Sequence, residues 1–385
     1  MLALKLNLTV DKSVESIVAA DSDTVTGVDG SSSLSDDNVA GKNCGAGFSV
    51  SEFAENVNGW STIKDFETML QLVYLGFTAP RRDEEAFGIM INSYRESLAN
   101  RLQNPKTYWS DSISMMGSNY SPRTILFTEE TVNGINIDKA IKYYKERFAN
   151  PADFTFMFVG NINPADPATR AAICQWIGGL KTNKKMETFV DRGVRAPQGI
   201  QKNYFARKME THTASNRIQY TSYDMGEYTI EKDLNMEMIG RVLSTRYLES
   251  IREREGGSYG VGVSGGMNML PVPSAILIMQ FDTDPEKQAR LMEIIHQEVK
   301  NIVDNGPLAT DVQKERESML KDFDENIEKN GWWMGTLYQY YRWNINNKAD
   351  YRKAVESITP QSVQETLKEF VAAGNVFEVV MTPAE

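Results

Sequence analysis

The sequence predicts an α+β protein of two tandem homologous domains, each a mainly antiparallel sheet with long helices packed on one face. Three observations predict it. Landmarks recur at one spacing: Arg95 and Arg316 stand 221 residues apart, Trp109 and Trp333 224, and Phe148 and Phe370 222. Around them, "INIDKAIKYYKERFANPADFTFMFVG" and "ITPQSVQETLKEFVAAGNVFEVVMTP" each pair an amphipathic helix with a strand, downstream of "RESLANRLQNPKTYW" and "RESMLKDFDENIEKNGWW", long helices that run to an Asn and a Trp. Self-similarity at a fixed period marks a duplicated unit. Strands also gather ahead of long helices, and one strand returns at the end, the order of a layered α+β sandwich.

The elements follow from hydrophobic period. In the first copy "LALKLNLTV" alternates as a strand, a short helix follows near 12–20, and "AGFSV" is a strand. Helices are expected near 62–78, 81–103 and 138–148, with "FTFMFVG" as the closing strand. In the second copy "NYFARKM" and "SNRIQYTSY" are strands, and Leu234, Met238, Val242, Ile239 and Leu243 at three-to-four spacing mark a helix over about 231–254. "SYGVGVSG" and "AILIMQFD" are strands, helices run over about 285–304, 309–345 and 360–372, and "VFEVVM" closes the sheet. The polar, aperiodic stretch near 181–201 sets the domains at 1–181 and 201–385, with a linker over 182–200. Moving the second copy's opening strands, near 203–225, back by 222 residues places them at about −19 to 3. The chain is therefore expected to be a piece of something longer; the other reading is that the first copy dispensed with a strand.

Composition removes several function classes. A net charge of −11 and the lack of a Lys/Arg stripe with interleaved aromatics give no footprint for nucleic acid. "MLALKLNLTVDKS" is not a secretory signal, and no apolar run approaches the ~20 residues of a membrane helix, so no membrane insertion is expected. Cys44 and Cys174 form neither a zinc knuckle nor a disulfide framework and are expected to be small buried residues. There is no phosphate loop and no nucleophile elbow, and "GVGVSGG" lies within an alternating strand rather than between a strand and a helix, so no nucleotide cofactor is expected. A catalytic zinc needs three protein ligands. The chain owns two histidines, His212 and His296, 84 residues apart with no inverted or direct zinc motif around either. No metal site is expected here, and the chain by itself is not expected to hydrolyse anything.

The stretch "IREREGGSYGVGVSGG" carries the remaining chemistry. Arg252 stands near the carbonyl end of a long helix, Gly256 and Gly257 supply the left-handed turn that stops it, and Tyr259 opens a strand. A guanidinium and a phenol at one rim of a sheet can bind a peptide carbonyl and steady the oxyanion of amide hydrolysis. Glycines alongside would admit a substrate backbone. On the other reading Arg252 pairs with Glu249 or Glu255 and Tyr259 packs. In "GWWMGTLYQYYRW", Trp333, Leu337, Tyr340 and Tyr341 sit at helical spacing, a core-facing stripe or the wall of a peptide chamber.

"RVLSTRYLESIREREGGSYGVGVSGG" resembles the C-terminal half of the inverzincin peptidases, the pitrilysin/insulinase family that includes bacterial zinc proteases. There an Arg and a Tyr seven residues later follow a helix, the spacing of Arg252 and Tyr259. "KDFETMLQLVYLGFTAPRRDEEAF", "ERFANPADFTFMFVGNI" and "METHTASNRIQYT" resemble further segments in matching order. The resemblance implies one half of a clamshell metallopeptidase. Arg252 and Tyr259 would contact the peptide substrate, while an N-terminal half would supply zinc and the general base. Neither the zinc ligands nor the catalytic Glu has a counterpart here. The chain is then a zinc-less portion of one long peptidase or a separately encoded subunit, with a non-enzymatic peptidase-like scaffold as the rival. The compartment stays open, periplasm or envelope being the candidates for the parent.

Overall fold

The computed structural model describes residues 41–183, 186–256 and 260–384. The expected strand "LALKLNLTV" and the short helix near 12–20 lie outside them. The described residues gather into two compact units, one of residues 41–98, 127–190 and 333–341, the other of 99–126, 191–332 and 342–384.

The first unit opens with the hairpin β1 (Cys44–Val50) and β2 (Glu55–Ser61), antiparallel with Cys44 opposite Ser61 and Val50 opposite Glu55. Asp65 ties the next element to it, accepting from Asn43 N at 3.0 Å and Thr62 Oγ1 at 2.9 Å. Those bonds hold its carboxyl below the ordinary range. Helix α1 (Phe66–Thr78) then buries Leu70 and Val73. After it come α2 (Glu84–Gln103), α3 (Pro105–Gly117), α4 (Glu129–Asn133), α5 (Ile137–Arg147) and α6 (Pro167–Trp176). The residues of α3 belong to the second unit.

The second unit is built on a five-stranded sheet. Its strands are β3 (Ile200–Arg207), β4 (Ala214–Ser222), β5 (Gly262–Asn268), β6 (Ser274–Thr283) and β7 (Val376–Pro383), in the order β3-β7-β4-β6-β5. The β3–β7 pair is parallel and the others antiparallel. Between the strands run α7 (Ile230–Tyr247), α8 (Gln288–Asn305), α9 (Ala309–Asn326), α10 (Asn330–Trp343), α11 (Asn347–Glu356) and α12 (Pro360–Ala372), of which residues 333–341 of α10 belong to the first unit. Cap chemistry sets their ends. Thr229 Oγ1 accepts from Lys232 N at the start of α7, Thr359 and Ser362 form a capping box ahead of α12, and Gly306, at φ +77°, stops α8. Ile218, Ile239, Leu243, Leu277, Met279, Ile295, Val363 and Leu367 are sealed between α7, α8, α12 and one sheet face. On the other face α3 seats Trp109 against Phe377, Val379 and Met381, and Trp109 Nε1 donates to Val379 O at 3.2 Å. With both faces covered, β7 reads as a nearly continuous apolar run.

Four expectations fail. "FTFMFVG" is not a strand. Its counterpart 222 residues on, β7, is held between β3 and β4, and neither has a counterpart among the described residues; an extended segment without a ladder partner does not count as a strand. Its rings pack instead, Phe154 at 5.1 Å from Phe77 and Phe158 at 5.8 Å from Phe66. The expected helix over 309–345 breaks at 327–329 into α9 and α10, and α11 went unread. The stripe of Trp333, Leu337, Tyr340 and Tyr341 is not core: the one buried residue of α10 is Thr336, and Tyr340 is 44% exposed. Spacing says which residues share a helix face but not that anything covers it. Nor are the cysteines buried: Cys174 is exposed and Cys44 only half-buried.

Candidate functional site

Helix α7 does not end where its α-helical bonding does; it widens into a π-helical stretch, Leu248–Arg254. Its inward residues anchor it. Ile251 is fully buried, and Tyr247 OH donates to Ile295 O at 3.1 Å. Gly256 then takes φ +55°, the left-handed turn the sequence called for. The first turn of α8 and the residue before it hold this corner: Lys287 Nζ donates to the carbonyls of Glu255 and Gly256 at 3.2 and 3.0 Å, and Arg290 pairs with Glu255 at 3.5 Å. Unsatisfied carbonyls at a helix end are a natural seat for a cation.

Arg252 projects from this corner into solvent. Neither acid proposed as its partner takes it: Glu249 is engaged by Arg246 at 3.0 Å and Glu255 by Arg290. Among the described residues Arg252, which is exposed, makes no ion pair or hydrogen bond. Tyr259 and Gly257 lie outside the described residues. The chain resumes at Gly260, and Val261, 8% exposed, enters the core ahead of β5.

The glycines of β5 have a reason the sequence did not reveal. A methyl at Gly265 would fall 2.2 Å from Met236 O, and one at Gly240 would fall 3.0 Å from Gly265 N. Helix α7 therefore lies directly on the backbone of β5, and these glycines admit a helix rather than a substrate. Asp233 pins the same contact, accepting from Met267 N at 2.7 Å and Tyr228 OH at 2.9 Å; burial raises its carboxyl above the ordinary value.

Sequence reasoning missed a buried polar chain beneath α8. Glu378, 2% exposed in the middle of β7, accepts from His296 Nε2 at 2.8 Å, from Tyr204 OH, and from Lys202 Nζ at 3.2 Å. His296 Nδ1 meets Tyr220 OH at 2.7 Å. Burial alone would raise the Glu378 carboxyl, but the bonds from His296, Tyr204 and Lys202 and the charge of His296 outweigh it and hold it at about 2. The available signal was the lone acid inside "VFEVVM". With both ring nitrogens occupied, His296 is no metal ligand, and His212 is exposed. The described residues contain no group of three or more His, Cys, Asp or Glu able to hold a metal, so they do not fit a catalytic zinc. None of their helices is long and apolar enough to cross a membrane.

The helix-backed sheet shares its fold with solved M16 peptidase halves. The crystal structure of the periplasmic protease PqqL from Escherichia coli matches it with a TM-score of 0.75 at 15% identity, over 90% of this chain and 38% of that one. A peptidase M16 inactive domain from Pseudomonas fluorescens matches with a TM-score of 0.71 at 13% identity, over 89% and 82%. At such identities these likenesses speak for the fold. Residues 134–319 match the family model described as the peptidase M16 inactive domain. A zinc protease PQQL-like protein of Arabidopsis thaliana is 24% identical over 332 residues, 80% of this chain and 34% of the relative. The chain thus spans about a third of the length of that curated relative.

Proposed function

We propose that this chain is the zinc-less C-terminal portion of a zinc-dependent peptidase, organised as repeats over 1–181 and 201–385 joined by 182–200. It binds a peptide and stabilises the transition state through Arg252 and Tyr259. Zinc and the general base come from an N-terminal half, and the parent works in the periplasm or envelope. The observation that carries the reading is the state of Arg252: solvent-facing at the rim of an M16 inactive domain, with both neighbouring acids occupied elsewhere. A guanidinium with no partner among the described residues is poised to donate to a substrate carbonyl, and it gains most when that oxygen becomes an oxyanion. The phenol of Tyr259 is the second donor. Zinc, where bound, polarises the carbonyl and supplies the attacking water.

The test is cleavage of a fluorogenic peptide by this chain combined with a zinc-bearing half of the same family. Arg252→Ala is expected to lower kcat/KM by about 10²–10³-fold and Tyr259→Phe by a smaller factor, as for loss of oxyanion donors elsewhere. Equal activity of wild type and both variants removes the catalytic role and leaves the scaffold reading.

A further inference from the structure

Beside the start of β3 the second unit leaves a cavity of about 540 Å³, a volume in the range of small-molecule sites. It is open to solvent. Asn119, just past α3, and Gln198 and Gln201, where β3 begins, are exposed at its wall, while Ala196 and Pro197 line it from buried positions. Tyr223, just past β4, and Arg195 complete the lining, and the fold has already fixed both. Arg195 donates through Nη1 and Nη2 to Asp191 and, at 2.9 Å, to Val194 O, and its guanidinium lies 5.7 Å from the centre of the Tyr223 ring. Ala196 N donates to Tyr223 OH at 2.8 Å, which leaves the phenol's own proton for an outside acceptor. The side chains of Asn119 and Gln198 make no hydrogen bond among the described residues. Asn119 and Tyr120 also hold φ of 51° and 55°, left-handed values that cost a tyrosine more than an asparagine. Backbone strain of this kind gathers at ligand sites.

Charge narrows the ligand first. Arg195 is answered by Asp191, and no other charged residue lines the cavity, so an ion of either sign would find its opposite already matched. A neutral ligand fits. Three primary amides and a phenol proton set donors and acceptors side by side. A sugar hydroxyl donates and accepts on one oxygen, so neighbouring hydroxyls can take both ends of one amide while the C–H face of the ring lies on an aromatic such as Tyr223. A peptide is read through recesses for its side chains, and the aliphatic lining here is limited to Ala196 and Pro197. We propose that this cavity binds a neutral oligosaccharide, held by the amides of Asn119, Gln198 and Gln201 and the hydroxyl of Tyr223. The site does not involve Arg252 and needs neither zinc nor cleavage.

The experiment follows the side-chain amide signals of Asn119, Gln198 and Gln201 in the ¹⁵N-labelled full chain, each assigned by its loss in a single substitution. Maltotriose, cellotriose and triacetylchitotriose are the probes. At least one is expected to shift all three signals saturably in the millimolar range, while an end-blocked Gly/Ser tetrapeptide and sorbitol at the same concentration do not. Gln198→Ala removes an amide with no internal partner, and Asn119→Gly removes another while relieving the left-handed backbone. Both are expected to melt no lower than wild type and to bind the best trisaccharide about 10-fold more weakly. The tetrapeptide matching the sugars would make this a peptide site, and sorbitol matching them would mean an adventitious additive only; either result overturns the proposal. So does silence from all three sugars, undiminished binding by either variant, or a melting temperature several degrees lower in both, which would give the amides a structural role.

Discussion

Glu378 and Arg252 are two charges in the second unit that the chain treats in opposite ways. Glu378 is buried and meets donors from Lys202, Tyr204 and His296, so each of its oxygens is spoken for. Arg252 is exposed, and the acids beside it are paired to other cations. The difference teaches where to look for function. A charge matched from within the fold works for stability, whereas a charge the fold has declined to match is available to something else.

The largest expected effect tests the first half of that contrast. Removing one partner of a buried ionic network leaves the others uncompensated, so Glu378→Ala is expected to destabilise by about 3–5 kcal/mol. Arg252→Ala, which removes an exposed side chain, is expected to stay within about 0.5 kcal/mol. Urea unfolding of the two variants measures both. Similar losses would erase the distinction between a structural charge and a free one.

A titration sharpens the same contrast. The folded pKa of Glu378, about 2, lies below its ordinary value of 4.5, so its contribution is complete above pH 4.5 and is lost as pH falls from there toward 2. Wild type is expected to lose more melting temperature across that window than Glu378→Gln, which has no carboxylate to protonate. Parallel curves would mean that the network does not hold the ionised form.

The sequence made the second unit legible and the first only partly so. Alternation and three-to-four spacing located β3 to β7, α7, α8 and α12, because each of these buries one face in a single core and the core imprints its period on the chain. The same logic named Phe154, Phe156 and Phe158 as a strand, since a row of rings looks alike whether a ladder or only other rings hold it. Arg252 was legible through its place at a helix end. The Glu378 network was not, because its members come from β3, β4, α8 and β7, and no local pattern reports a contact among four elements. The glycines of β5 were read as room for a substrate when part of that room is filled by α7.

Those glycines give the third prediction, and they repeat the opening contrast in steric form. At Gly265 the fold has already supplied a neighbour: an added methyl meets Met236 O at 2.2 Å, and backbone cannot step aside as a side chain can. At Gly262 the nearest atom to an added methyl is Gln280 O at 3.6 Å, an ordinary contact. Gly265→Ala is therefore expected to cost about 1–3 kcal/mol, the range for forcing extra volume into a packed contact. Gly262→Ala is expected to be neutral or slightly stabilising, since alanine narrows the unfolded ensemble at no steric cost. Thermal unfolding of both variants decides it. If Gly265→Ala melts with wild type, α7 does not rest on β5, and the corner that Lys287 and Arg290 clasp loses the helix placement that presents Arg252.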